Sequence, residues 1–159
     1  MDCRRLETSF ESTDVMAHIL GICKQNHIAW NFTKAQKLLY CCYGTVLAAF
    51  NERLTEEAPQ AWQYGPVFPR TFNALQKGTI TPGLDKGFCK RCNAQWLPLI
   101  QETVKQFGKY TDSQLSTWSH KPGSPWSKAT RGGEELQVQI PADYIKEYFA
   151  PMILRTANA

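Results

Sequence analysis

At 159 residues the chain is the size of one domain and long enough to bury roughly two-thirds of its unfolded surface; 43% hydrophobic, 12% aromatic and 20% charged residues exclude disorder and fibrous repeats. No apolar run follows the basic pair Arg4-Arg5, and no segment approaches the roughly 18 apolar residues of a bilayer span, so a soluble, unexported, cytoplasmic protein is expected. The net charge of +4 hides an asymmetry, because Ala58 to Gly133 carries ten Lys and Arg against three Asp and Glu, a bias that suits an acidic protein or a polyanion, or simply solvates the surface.

In chain order the elements read mainly as helices. Ser12-Thr13-Asp14 offers a capping side chain before Val15, Ile19, Ile22 and Cys23, an apolar face expected to end near Asn26. Thr33 is the expected cap of a longer helix of about four turns, on which Ala35, Leu38, Leu39, Cys42, Val46 and Phe50 form one stripe. Lys37 falls off that stripe and reads as solvated. Pro69 suits the first position of a short helix through Arg70, Phe72 and Leu75 that stops at Gly78. The segment Asn93 to Phe107 places Trp96, Leu97, Ile100, Val104 and Phe107 on one face, with Gly108 as a C-terminal cap.

Thr111 and Gln114 have the spacing of a capping box before Leu115 and Trp118, and a further short helix is expected from Ser124. Leu136, Val138 and Ile140 alternate with glutamines, which predicts a strand of about five residues paired with Gln60–Trp62 or with Thr79-Ile80-Thr81. Pro141 opens a last helix through Tyr144, Ile145, Tyr148 and Phe149, and Pro151 is expected to end it. The expected fold class is mainly α: a compact single-domain helical bundle of about six to seven helices with a small β ribbon. Its domain occupies 12–150, between an N-terminal arm at 1–11 and a C-terminal tail at 151–159.

Chemical motifs are sparse. The six cysteines read as reduced thiols in an unexported chain. Cys89 and Cys92 have the spacing of half a zinc site, but no second pair recurs, so no metal or other cofactor is expected. There is no phosphate loop, nucleophile elbow, HExxH helix or acidic cluster. His120 lies in the aromatic loop from Trp118 to Trp126 without an identifiable orienting partner, so no catalytic residue is assigned. The basic excess carries no recognised nucleic-acid reading motif.

Three blocks of the sequence carry a resemblance. The helix Thr33-Lys34-Ala35-Gln36-Lys37-Leu38-Leu39-Tyr40, the turn Ala61-Trp62-Gln63-Tyr64-Gly65-Pro66-Val67 and the loop with Ser119-His120 and Pro125-Trp126 follow one another in that order. Together they resemble the Panacea domain, the SocA-like antitoxin or phage-associated GepA-like family, over roughly residues 12 to 150. Ala35, Cys41 and Thr117-Trp118 depart from the family pattern. The resemblance implies a non-enzymatic antitoxin that binds and blocks a toxin encoded by a neighbouring gene. Some members of the family act instead as adaptors that deliver a toxin to a protease, and a small His120-dependent enzyme is the remaining alternative.

Lys37, Leu38, Leu39, Tyr40, Ala61, Trp62, Gly65, Pro66, Val67, Ser119, Pro125 and Trp126 are then expected to be structural. Trp62 is placed against the long helix near Leu39 or Tyr43, and Trp126 in the core, linked to the turn by His120. Tyr64 and Phe68 are expected at the surface, and with Arg70, His120 and Lys121 they form the candidate partner-binding set.

Overall fold

The computed structural model describes residues 9–83 and 86–158, so most of the expected N-terminal arm, Asp85 and Ala159 lie outside the described residues. The elements are α1 (Ser12–Gln25), α2 (Phe32–Phe50), β1 (Gln60–Trp62), β2 (Gly65–Val67), α3 (Pro69–Lys77), α4 (Lys86–Arg91), α5 (Trp96–Phe107), α6 (Asp112–Ser119), α7 (Pro125–Thr130), β3 (Val138–Gln139) and α8 (Ala142–Asn158). The fold is mainly α with one small antiparallel sheet. Seven of the helices correspond to sequence expectations. The eighth, α4, is anchored by Phe88, which is fully buried with its ring edge-on to Phe10 at 5.1 Å.

Helix α2 is the axis. Every residue from Lys34 to Leu47 is buried, because α1, α5, α6 and α8 all pack around it. A single apolar stripe was the sequence expectation; a helix wrapped on all sides buries its off-stripe positions too. At Gly44 an added Cβ would fall on the ring of Phe149, so the missing side chain is what lets α8 lie close against α2.

Helix ends depart from expectation where tertiary partners take the capping side chains. Ser12 lies inside α1 and donates to Glu57 Oε1 at 2.7 Å, leaving Glu11 at the N-cap without a side-chain cap. Asn31, not Thr33, caps α2, its Oδ1 accepting from the Lys34 N–H at 2.9 Å. The segment 93–95 is a turn, and α5 starts at Trp96. Gly108 ends α5 in a right-handed conformation, φ −64°; an added Cβ there would lie 2.9 Å from Ile28 Cδ1, so close approach requires the glycine. Pro69, Gly78 and the Thr111–Gln114 capping box stand where expected. Pro151 does not end α8: the helix continues and sets Met152 against the core, with Ile153 beside Thr103 and Phe107 of α5. That burial outweighs the backbone hydrogen bond a mid-helix proline forfeits.

The sheet has the order β2-β1-β3. β1 and β2 form a hairpin in register Gln60↔Val67, Ala61↔Pro66 and Trp62↔Gly65, with Gln63 and Tyr64 at its tip. β3 is only two residues long and pairs with Gln60 and Ala61, the first of the two expected partners. Gln137, at φ +63°, breaks the extended run that the alternation of Leu136, Val138 and Ile140 suggested.

Candidate functional site

The three sequence blocks meet at Gly65. Its φ of +121° suits glycine, and an added Cβ would fall on Ser119 Oγ and lie 2.6 Å from Lys37 Cε. The first block thus touches the second and third at one point. β2 is an edge strand whose outer side faces α2, and α2 satisfies it: Lys37 Nζ donates to the Pro66 carbonyl at 3.1 Å, and Gln36 Oε1 accepts the Phe68 N–H at 2.7 Å. From the other side, Ser116 Oγ donates to the Tyr64 carbonyl at 2.6 Å and Trp126 Nε1 to the Trp62 carbonyl at 2.7 Å. The hairpin is held by side chains from α2, α6 and α7.

The remaining block residues build this frame. Leu38, Leu39, Tyr40 and Ala61 are fully buried, and Pro66, Val67, Ser119, Pro125 and Trp126 are buried as well. The Tyr40 ring meets Trp118 at 6.3 Å and Phe149 at 5.5 Å, and burial pushes its hydroxyl pKa well above the usual tyrosine value.

Several expectations for single side chains are corrected. Lys37 is not solvated; it is 1% exposed, because its end is tucked against Gly65 and Pro66 of the hairpin beside Ser119. Burial pulls its pKa from 10.5 down to about 8, an effect partly opposed by Cys41 one turn along. Phe68 is not at the surface but fully buried, its ring 5.6 Å from Tyr43, because it turns inward to start α3. Phe68, not Trp62, fills the place beside Tyr43; Trp62 is half-buried and packs edge-on to Phe72 of α3 at 5.1 Å. The link between Trp126 and the turn is made by the Trp126 indole itself, with the His120 ring resting 5.2 Å from it.

The chemistry available is limited. Ser119 Oγ donates to the Ser116 carbonyl at 2.9 Å and Lys37 to Pro66, so each engages backbone. Among the described residues His120 Nδ1 is buried with no hydrogen-bond partner. Cys89 Sγ lies 3.7 Å from His18 Nδ1, yet among the described residues no three His, Cys, Asp or Glu side chains are grouped to hold a metal.

The outer face of the hairpin is different in character. Among the described residues Phe32, Tyr64, Tyr110 and Leu136 are the exposed large hydrophobics, and three of these four, all but Tyr110, line one groove of about 470 Å³. Trp62, Phe72 and Lys37 also line it. Tyr64, 67% exposed, separates this groove from a hollow bordered by Ser116, Thr117 and His120. Thr117 in turn borders a third depression that holds Tyr110 and Lys121. The face therefore brings together Tyr64, His120 and Lys121 from the expected set. Arg70 is not on it, and its guanidinium pairs with Glu56.

Sequence reading missed Phe32 and Leu136 as surface groups. Phe32 had a usable signal: side chains tilt toward a helix's N-terminus, so a ring at the first helical position projects beyond the core. Leu136 read as the inward side of a strand, and the kink at Gln137 releases it.

The fold is a helical frame whose α2, α6 and α7 side chains brace a short aromatic hairpin. The chain belongs to the family described as antitoxin SocA-like, Panacea domain, whose model matches residues 36–127, more than half of its length. No curated protein and no solved structure matches it.

Proposed function

We propose that the chain is an antitoxin that neutralises, by direct protein binding and without catalysis, a toxin encoded by a neighbouring gene, and that the hairpin face makes the contact. The observation that carries the reading is the gathering of Phe32, Tyr64 and Leu136 around one groove on a braced turn. Aromatic groups that are ordered before binding lose little entropy on docking, and such groups dominate the energetics of interfaces. Tyr64, His120 and Lys121 are proposed contacts; buried Phe68 is not. The five described cysteines are free thiols, which supports action in the reducing cytoplasm.

Co-expression with the protein encoded beside it tests the reading. The wild type should form a complex that survives purification and should restore growth. Joint replacement Phe32→Ala and Tyr64→Ala should weaken the complex roughly 30-fold or more while leaving the melting temperature within a few degrees. Rescue retained in a host lacking the unfoldase-protease assigns the effect to blocking; rescue lost there assigns it to an adaptor. A wild type that forms no complex and gives no rescue overturns the proposal.

A further inference from the structure

Lys37 stands out among the groove's lining residues. Its ammonium has three N–H donors, and the Pro66 carbonyl accepts one of them at 3.1 Å. The groups that face it are Cys41 on its own helix, Gly65 and Pro66 from the hairpin, and Ser119 from α6. None of these is a carboxylate, and among the described residues the ion pairs are Arg70 with Glu56 and Arg131 with Glu135. A buried cation without a counter-ion is costly, and the edge carbonyl it serves needs only a neutral donor. Gln36, its neighbour on α2, meets the same strand edge with an uncharged amide.

Lys37 is nevertheless one of the groove's lining residues, so its unmatched charge lies beneath the apolar groove's floor. We infer that the groove accepts an acidic side chain of the partner, carried between apolar residues on an extended segment, and that Lys37 supplies the counter-charge. This rests on the hairpin face being the binding face. The apolar neighbours would seat on Phe32, Trp62 and Leu136, and the carboxylate would accept the two ammonium N–H groups that Pro66 leaves over. An extended segment suits the rim, where the amides of Gln63 and Gln137 can pair with a passing main chain. Excluding water around such a pair strengthens it. Lys37 holds its proton at neutral pH, since burial lowers its pKa only to about 8, and a bound carboxylate would raise it again.

The probes are three acetylated tripeptides: acetyl-Leu-Glu-Phe amide, acetyl-Leu-Gln-Phe amide, and acetyl-Leu-Gln-Phe with a free terminal carboxylate. Each is titrated into full-length protein carrying carbon-13 lysine, with the Lys37 signal assigned by its loss in Lys37→Met. The glutamate peptide should bind at least tenfold more tightly than either glutamine peptide, shift the Lys37 signal and raise its titration midpoint. The preference should vanish in Lys37→Met. Equal binding of all three, no binding, a preference for the terminal carboxylate, or a preference that survives Lys37→Met overturns the inference. If the peptides bind equally and Tyr64→Ala still breaks the toxin complex, only the carboxylate is lost. If Tyr64→Ala leaves that complex intact, the binding face falls with it.

Discussion

At the scale of single residues, Lys37 is the least economical choice in the structure. Its folded pKa of about 8 against 10.5 when unfolded means the fold disfavours the charged form by about 3 kcal/mol. Below pH 8 both states hold the proton and the folded chain bears the whole penalty. Between about 8 and 10.5 the unfolded chain still holds a proton that the folded chain has released, so the Lys37 contribution to stability rises with pH. Buried thiols oppose this: burial raises Cys23 to about 11, so the folded chain keeps a proton that the unfolded chain gives up. The two are separated by comparison with Lys37→Met. At pH 7 that variant should be more stable by roughly 1–2 kcal/mol, the relief of the charge less the orphaned Pro66 carbonyl. Its advantage should shrink between pH 8 and 10.5 in urea unfolding. A destabilised variant, or a constant difference across that range, would contradict the account.

At the scale of elements, the N-terminus of α2 is tied to the turn between α5 and α6. Asn31 caps α2 through Oδ1 and donates from Nδ2 to Asp112 Oδ2 at 2.8 Å, while Lys34 Nζ reaches the Gly108 carbonyl at 2.8 Å. The hydrogen bond from Asn31 is the main reason the Asp112 carboxyl lies below its usual pKa. Asn31→Ala removes the cap and the link together, and should cost about 1–2 kcal/mol in chemical denaturation, against a change near zero at exposed Lys109. Equal effects at the two positions would show that the cap carries nothing. This junction also marks what the sequence could reveal. Local signals worked where the chain caps itself, as at Pro69, Gly78 and the Thr111–Gln114 box. They failed where the partner is distant: Ser12 is taken by Glu57, and Asn31 bridges to Asp112. The candidate site was legible as three blocks, but not as one place. Positions 37, 65 and 119 have no periodic relation, and their meeting depends on how α2, the hairpin and α6 pack. Phe68 and Trp62 exchanged places beside Tyr43 for the same reason: Phe68 turns inward at the start of α3, while Trp62 packs on Phe72 of that helix.

At the scale of the whole molecule, the family match and the folding unit have different extents. Residues 36–127 contain Lys37, Gly65 and Ser119, so the junction of the three blocks lies inside the match. Two of the helices that cover α2, namely α1 and α8, do not. Val15, Met16, Ile19, Leu20 and Cys23 of α1, and Ile145 and Phe149 of α8, are all fully buried and lie outside it. Each large aliphatic or aromatic side chain among them contributes about 1.5–3 kcal/mol, and their sum matches or exceeds the roughly 5–15 kcal/mol by which domains are stable. Phe10 adds a further tie, its backbone pairing with Leu54 and Glu56 on the approach to the hairpin. A fragment of residues 36–127 should therefore show no cooperative thermal transition and a weak near-ultraviolet circular dichroism spectrum. A chain of residues 9–153, which keeps α1 and the core-facing part of α8, should melt cooperatively with native-like aromatic signals. If the shorter fragment melts as sharply as the longer one, α1 and α8 are accessories and the hairpin is braced by α2, α6 and α7 alone. If it does not, the hairpin face keeps its shape only while the covering helices hold α2 in place.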